Sequence, residues 1–447
     1  MKLSIILLIL SLVLIGGAFW HLNEPEEQLF DITEADRSSA PPEERASSKF
    51  EIEGNCRLGQ KPKFWPVDEA GSAILEPGEA LFTDDQSYAL SSLVSADQMR
   101  SEIAWVSPQG SRVISLGRVQ GQSAPAQLAQ FGQTLHFAHF SSDAGHYVAR
   151  LGELKDISTS SSVHWGARVL QQRDTSLESD LAVNALGALL VWDEPFPGSA
   201  RSQIRGYWQP SGGKILEQSA GARQLSSADM DSDRPRIIRF EDGFLLVFLS
   251  YPPQKIAESG DALVQEPYSF LQVRRLSAQG EFQGSLLRVN RTRARILGFD
   301  VVSRGSQADL IYWQELKNGS IRLSGIKVAA DGLGESYPIA VDFQSVGSIA
   351  LFGKNTGKLN QPSWVLGAAT NADAFLAPTT TTVPSEFQRQ SALRGYFPLA
   401  RIADRLLLAR PLRLGFELNF ADCAELQSPG DAKAPKNQVD RASTTKN

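Results

Sequence analysis

Short apolar runs that end near a large aromatic residue recur along this chain, and they constrain its fold more than any other feature. They are Glu102-Ile-Ala-Trp-Val106, Leu135-His-Phe-Ala-His-Phe140, Leu189-Leu-Val-Trp192, Leu245-Leu-Val-Phe248 and Leu310-Ile-Tyr-Trp313. Each is bounded by Gly, Asp, Ser or Pro, which is how a buried strand reads. Long stretches with a 3.6-residue period are hard to find, so helices have little claim on the body. A second landmark follows most of the runs: Ser107-Pro-Gln-Gly110, Pro210-Ser-Gly-Gly213, Ser277-Ala-Gln-Gly280 and Ala330-Asp-Gly332. Glycine at these places supplies the positive φ that a tight hairpin needs.

The spacing turns these landmarks into a repeat. Leu135 to Leu189 is 54 residues, Leu189 to Leu245 is 56, and Gly280 to Gly332 is 52. Leu245 to Leu310 is 65, with an insertion near Gln254–Pro267, and Gly110 to Gly213 is 103, close to two units. About four short strands in roughly 50 residues is the size of a β-propeller blade. The expectation is an all-β, six- or seven-bladed β-propeller, with units beginning near Ser87, Ala124, Asp180, Asp233, Phe299 and Ser348. Strands near Phe64 and Leu406–Leu414 would combine into a closing blade. The alternative is a series of β-sandwich domains, but no Pro/Ser-rich linker divides the body.

The two cysteines bracket this body. Cys56 precedes it and Cys423 ends it. In an oxidising compartment they would form a disulfide that ties the two ends together, as a ring closed by its own termini requires. The other reading is two unrelated buried thiols.

Asp233-Arg-Pro-Arg-Ile-Ile-Arg-Phe-Glu-Asp-Gly-Phe-Leu-Leu-Val-Phe248 and Asp180-Leu-Ala-Val-Asn-Ala-Leu-Gly-Ala-Leu-Leu-Val-Trp192 resemble the blade openings of exported bacterial β-propellers. The resemblance is one of pattern over residues 57–425. It lacks the Gly-His and Trp-Asp pair of WD40 repeats and the double glycine of kelch. Ser141-Ser-Asp143-Ala-Gly145-His-Tyr147-Val148 resembles the Asp-box turn of sialidase-like propellers, departing where Tyr147 and Val148 replace Thr and Trp. That turn is structural in its family, so the likeness implies fold rather than activity.

The N-terminus reads as an export segment. Met1–Lys2 is followed by an apolar stretch to Trp20, with Gly16 and Ala18 in the small-residue positions of a signal-peptidase site. Residues 1–22 are therefore a signal peptide or an N-terminal membrane anchor, since about 18 apolar residues is the short limit for a span. Residues 23–50 are acidic and rich in Pro and Ser, and they read as a disordered spacer, as do residues 428–447 at the other end. The body is 51–427. The expected location is the cell envelope, facing outward, or the medium. With 44 Lys+Arg against 50 Asp+Glu and a net charge of −6, nucleic acid is not an expected partner.

Candidate chemistry is sparse. Arg291, Arg293 and Arg295 alternate and would share one face of a strand as a cationic stripe for an anionic ligand, with Arg288 nearby. A solvated edge-protecting face is the plainer reading. Asp229, Asp231 and Asp233 alternate as calcium ligands do, but Arg234 stands where a calcium loop needs its turn glycine and Phe240 where it needs its bidentate acid. Calcium is thus the one cofactor the sequence suggests, against a reading of solvated loop acids. His136 and His139 would point to opposite faces of one strand, so a shared metal is not expected. No Gly-x-Ser-x-Gly elbow is present, and Gly353-Lys-Asn-Thr-Gly-Lys358 is one residue short of a phosphate loop and is followed by Leu359. Asn290-Arg-Thr292 and Asn318-Gly-Ser320 match glycan acceptors, and Ala377–Pro384 reads as an exposed loop. The functional expectation is an extracytoplasmic binding or scaffold module for a protein or glycan. The alternative is a glycosidase- or lyase-type enzyme with Arg, Asp/Glu and Tyr converging in a central funnel.

Overall fold

The recurring apolar runs pair into sheets because each is flanked by a hairpin-forming turn and is apolar on both faces. The computed structural model describes residues 52–53, 56–59, 63–65, 73–83, 87–95, 99–108, 110–119, 124–143, 146–156, 162–170, 178–195, 201–211, 222–252, 268–290, 294–316, 319–343, 348–352, 364–368, 374–378, 388–402, 405–412 and 415–423. The expected export segment, spacer and tail lie outside these residues, as do the insertion at 254–267 and the 353–358 segment. Among the described residues there are seven sheets, and no helix is long and apolar enough to cross a membrane.

Each sheet is a blade of antiparallel neighbours in chain order. Their inner strands begin at Ala73, Gln127, Ser179, Asp231, Arg295, Ser348 and Phe397, so the steps are 54, 52, 52, 64, 53 and 49 residues. We number the blades 1 to 7 in that order. Each inner strand contacts the next, and that of blade 7 contacts that of blade 1. The ring is closed, which makes the fold a seven-bladed β-propeller and excludes serial sandwiches.

Stacking of the blades explains the burial pattern. The second strand of blade 3, Gly187–Pro195, and that of blade 4, Gly243–Tyr251, are buried at every position but the last. A sheet covered on both faces reads as a continuous apolar run rather than an alternating one. Seven apolar clusters fill the seven spaces between neighbouring blades. Most aromatic landmarks are second strands, whereas Glu102–Val106 lies on the third strand of blade 1. The glycine landmarks at Gly110, Gly280 and Gly332 mark turns that follow third strands, and all three have positive φ.

Closure uses both ends of the body. Blade 7 is Phe397–Ile402, Arg405–Leu412 and Gly415–Asp422, and its outer side is completed by Arg57–Leu58 and Lys63–Trp65 from the N-terminal side. Ile52–Glu53 adds a parallel strand to the outer edge of blade 6 at Gln388–Arg389. Between these two attachments Cys56 bonds to Cys423. The bridge is buried with Leu393, Tyr396, Leu406, Leu408 and Ala421. The Cys56 backbone N–H donates to Gln390 Oε1 at 3.1 Å, which fixes the strap to blade 6 as well. The Asp-box-like turn is a hairpin between the second and third strands of blade 2, with Asp143 opposite His146.

The bond closes a loop spanning 367 positions. Cys56→Ser is expected to lower the unfolding free energy by about 2–5 kcal/mol. Thermal unfolding with and without reductant checks this, and reductant should have no further effect on the variant. A wild-type melting temperature unmoved by reductant would contradict it.

Candidate ligand-binding funnel

The first halves of the inner strands converge on a cavity of about 570 Å³ around the axis. Its polar wall is Gln127 of blade 2, Glu178 and Ser179 of blade 3, Arg234 and Arg236 of blade 4, and Asp300 of blade 5. Its apolar wall is Phe299 and Trp313 of blade 5, Ile349 of blade 6 and Phe397 of blade 7. The volume is that of a small-ligand pocket.

Backbone irregularities shape this mouth. The pairing of the inner strand slips between Asp233 and Arg236 in blade 4, and between Ile296 and Gly298 in blade 5. Such bulges bend a strand and re-aim its side chains. Arg234 lies within the first bulge at φ 53°, a left-handed conformation that a non-glycine residue adopts at a cost. From there its Nη1 donates to the Leu297 carbonyl at 3.0 Å, and its Nε lies 3.7 Å from Glu178 Oε1. Gly298 is where the wall admits no side chain: a Cβ there would come within 2.3 Å of the Trp313 indole. The missing side chain lets the ring lie against the backbone of the neighbouring strand.

Below the mouth, three carboxylates join adjacent blades. Glu79 Oε2 of blade 1 accepts the Leu128 N–H of blade 2 at 2.7 Å. Asp180 Oδ2 of blade 3 accepts the Ile237 N–H of blade 4 at 2.7 Å, and Asp300 Oδ2 of blade 5 accepts the Leu351 N–H of blade 6 at 2.7 Å. Asp180 Oδ1 and Asp300 Oδ1 also accept from Leu181 and Val301, each at 2.8 Å. Blades 1, 3 and 5 thus clasp blades 2, 4 and 6 by the same device.

Arg236 stands among these acids. Burial works against its charge, but Asp180, Asp300, Glu79 and Glu178 outweigh it and hold the guanidinium above its ordinary pKa. It remains accessible from the channel and makes no direct hydrogen bond or ion pair among the described residues. Burial, with help from Asp180, pushes Glu79 up to about 8, so its carboxyl is largely protonated at neutral pH. Asp180 is raised to about 6 by burial against the pull of Arg236. Asp300 is raised by burial as well.

A second polar group stands at the rim between blades 3 and 4. The Glu178 N–H donates to Asp193 Oδ1 at 3.0 Å, and the Asp193 N–H donates to the Glu178 carbonyl at 3.1 Å. The Tyr251 hydroxyl donates to Asp233 Oδ1 at 3.3 Å. Burial, opposed by Arg234 and reinforced by Glu178 and Asp193, raises Asp233 to about 7.

The residues singled out in the sequence meet this site at one point only. Asp233 reaches the rim. Asp231 Oδ1 accepts the Ser202 N–H at 2.6 Å, while Asp229 is exposed and takes the Ser227 hydroxyl. Among the described residues no group of three or more His, Cys, Asp or Glu is arranged to hold a metal ion. Arg295 opens the inner strand of blade 5 and pairs with Glu315 at 3.0 Å, and Arg291 and Arg293 lie outside the described residues. Arg288 stacks on Phe270 at 3.4 Å. His139 is buried against Trp165 and pushed down to about 4 by burial and Arg150. Sequence reasoning missed Arg236, Glu79, Glu178 and Asp300, and took Asp180 as a blade start only.

No family model matches the chain, and no curated protein matches its sequence. Solved structures of similar fold include the β-propeller domain of the Trilobed protease from Pyrococcus furiosus, at 11% identity over 78% of this chain and 95% of that one, with a TM-score of 0.48. YCF48 bound to D1 peptide is similar at 12% identity over 86% and 100%, with a TM-score of 0.44. The alpha-L-arabinanase of Penicillium chrysogenum complexed with arabinobiose is similar at 9% identity over 83% and 98%, with a TM-score of 0.41. The likeness is one of fold.

The clasp gives stability a definite pH dependence. A carboxyl raised from 4.5 to about 8 contributes stability that is present below pH 4.5 and lost as pH rises toward 8. Glu79→Gln keeps an acceptor for Leu128 and removes the titration. Its melting temperature should exceed wild type's at pH 8, on the order of a few degrees, with the difference shrinking toward pH 4.5. Parallel melting curves for the two proteins across that range would refute the assignment.

Proposed function

We propose that this chain is an extracytoplasmic binding module whose funnel takes the end of a glycan. One observation carries the reading: Arg236, a guanidinium with no direct partner among the described residues, faces a cavity whose walls combine carboxylates with Phe299, Trp313 and Phe397. Sugars present hydroxyl edges and apolar ring faces, and such a wall matches both. The disulfide supports a location outside the reducing cytoplasm. The apolar stretch from Leu3 to Ile15 would export the chain and, if retained, tether it to the membrane.

Cleavage of the bound glycan is a second reading, and Asp233 favours it. It holds its proton close to neutrality beside Tyr251, at the rim it shares with Glu178. In a glycosidase-type step Asp233 would protonate the leaving oxygen as the C–O bond breaks. Water would add to the anomeric carbon and lose its proton to Glu178.

A glycan digest added to the full chain should raise its melting temperature. Trp313→Ala should weaken the responsible glycan at least about tenfold, because it removes the largest apolar wall. Gly298→Ala, which displaces the same indole, should act in the same direction. Equal affinity in both variants would place binding outside the funnel. Reducing-end release from that glycan, abolished in Asp233→Asn with binding kept, would establish the enzyme; no release by wild type would leave a binder.

A further inference from the structure

Arg236 and the acids around it constrain the ligand's charge. A guanidinium offers five N–H donors in a rigid fork, and those of Arg236 engage no acceptor among the described residues. The ligand must therefore bring acceptors. The carboxylates nearest in effect are Asp180, Asp300, Glu79 and Glu178. Asp180 and Asp300 have both oxygens engaged by backbone N–H groups, so they are fixed in place and cannot swing away from an incoming charge. At the rim, Arg234 is already paired with Glu178 and the Leu297 carbonyl. Among the described residues, Arg236 thus keeps its fork unpaired beside two acids held in place, Asp180 and Asp300.

A carboxylate, sulfate or phosphate on the ligand would satisfy the fork but would lie against Asp300 and Glu178 on the cavity wall, with Asp180 buried behind it, where like charges repel. An ammonium group would suit the acids but could not use the guanidinium. A pair of adjacent hydroxyls does both: its oxygens accept from the fork and its hydrogens donate to the carboxylates. Resting on the glycan reading, we infer that the funnel recognises an uncharged sugar through two neighbouring hydroxyls, with Arg236 as the anchor and the acids as a filter against acidic sugars.

The full chain applied to an array of neutral, uronate-containing, sialylated and sulfated oligosaccharides tests this, with hits measured by titration calorimetry. The hits should be neutral. Arg236→Lys keeps the charge but loses the fork, and should weaken them by about tenfold or more. Glu178→Gln changes an exposed rim residue and removes its charge, and it should narrow the gap between neutral and acidic sugars severalfold. Hits that are mainly acidic would overturn the inference while leaving the glycan reading intact. So would unchanged affinity in Arg236→Lys, or an unchanged neutral-to-acidic ratio in Glu178→Gln. An array with no hits would overturn the glycan reading itself, and the inference with it.

Discussion

The innermost strand of a propeller blade has a sheet on one side only, so its other edge faces the axis with backbone N–H groups that need acceptors. In this ring, carboxylates of the neighbouring blade supply them. Leu128, Ile237 and Leu351 donate to Glu79, Asp180 and Asp300. The solution brings acids into a space that protein surrounds, where charge is poorly solvated. Their raised pKa values record that penalty. Arg236 is the counterweight, and it serves all three from one place. The polar interior of the funnel thus follows from a backbone requirement before any ligand is considered.

Closure has a related logic. Seven blades sharing seven apolar interfaces have no natural start, and the ring would be weakest where the chain begins and ends. The chain covers that seam three times: with strands from residues 57–65 on the outside of blade 7, with Ile52–Glu53 on blade 6, and with the buried bond between Cys56 and Cys423. A closed seam also holds Phe397 of blade 7 in the funnel wall, so the fastening at the periphery supports the geometry at the axis.

What could be read from the sequence was what repeats. The runs at Leu189–Trp192 and Leu245–Phe248 stood out because burial on both faces makes a strand uniformly apolar. The cysteine pairing was legible because the two residues bracket the repeats. The inner strand Ala73–Phe82 was not legible, since Pro77-Gly78 reads as a turn. In the fold it is a bulge, and Gly78 is needed because a Cβ would strike Pro125 and Ser91. The funnel was the hardest to see. Residues 79, 180, 236 and 300 lie on four different blades, and only ring closure brings them together. A weak signal did exist: an acid leading a short apolar stretch in Glu79-Ala-Leu-Phe82, Asp180-Leu-Ala-Val183 and Asp300-Val-Val302. The alternating Asp229, Asp231 and Asp233 misdirect for the opposite reason. Alternation suggests a shared ligand, whereas a turn and a bulge send the three side chains to Ser227, the Ser202 N–H and Tyr251.

The same residues that close the axis also define what can enter it. Acids whose oxygens are occupied by backbone N–H groups are rigid, and rigidity is what lets a site select by charge rather than adapt to it. Arg236 differs from every other part of the clasp in having donors to spare, because no carboxylate among the described residues takes it up. Because Asp180 and Asp300, both held by backbone N–H groups, share its charge without pairing with it, the ring is stabilised electrostatically and a donor fork remains free among the described residues. The neighbouring bulges, with Arg234 in a strained conformation and Gly298 clearing space for Trp313, shape the wall at that level. Strain and unused hydrogen-bonding capacity thus coincide at one end of the channel, where a ligand can offset both.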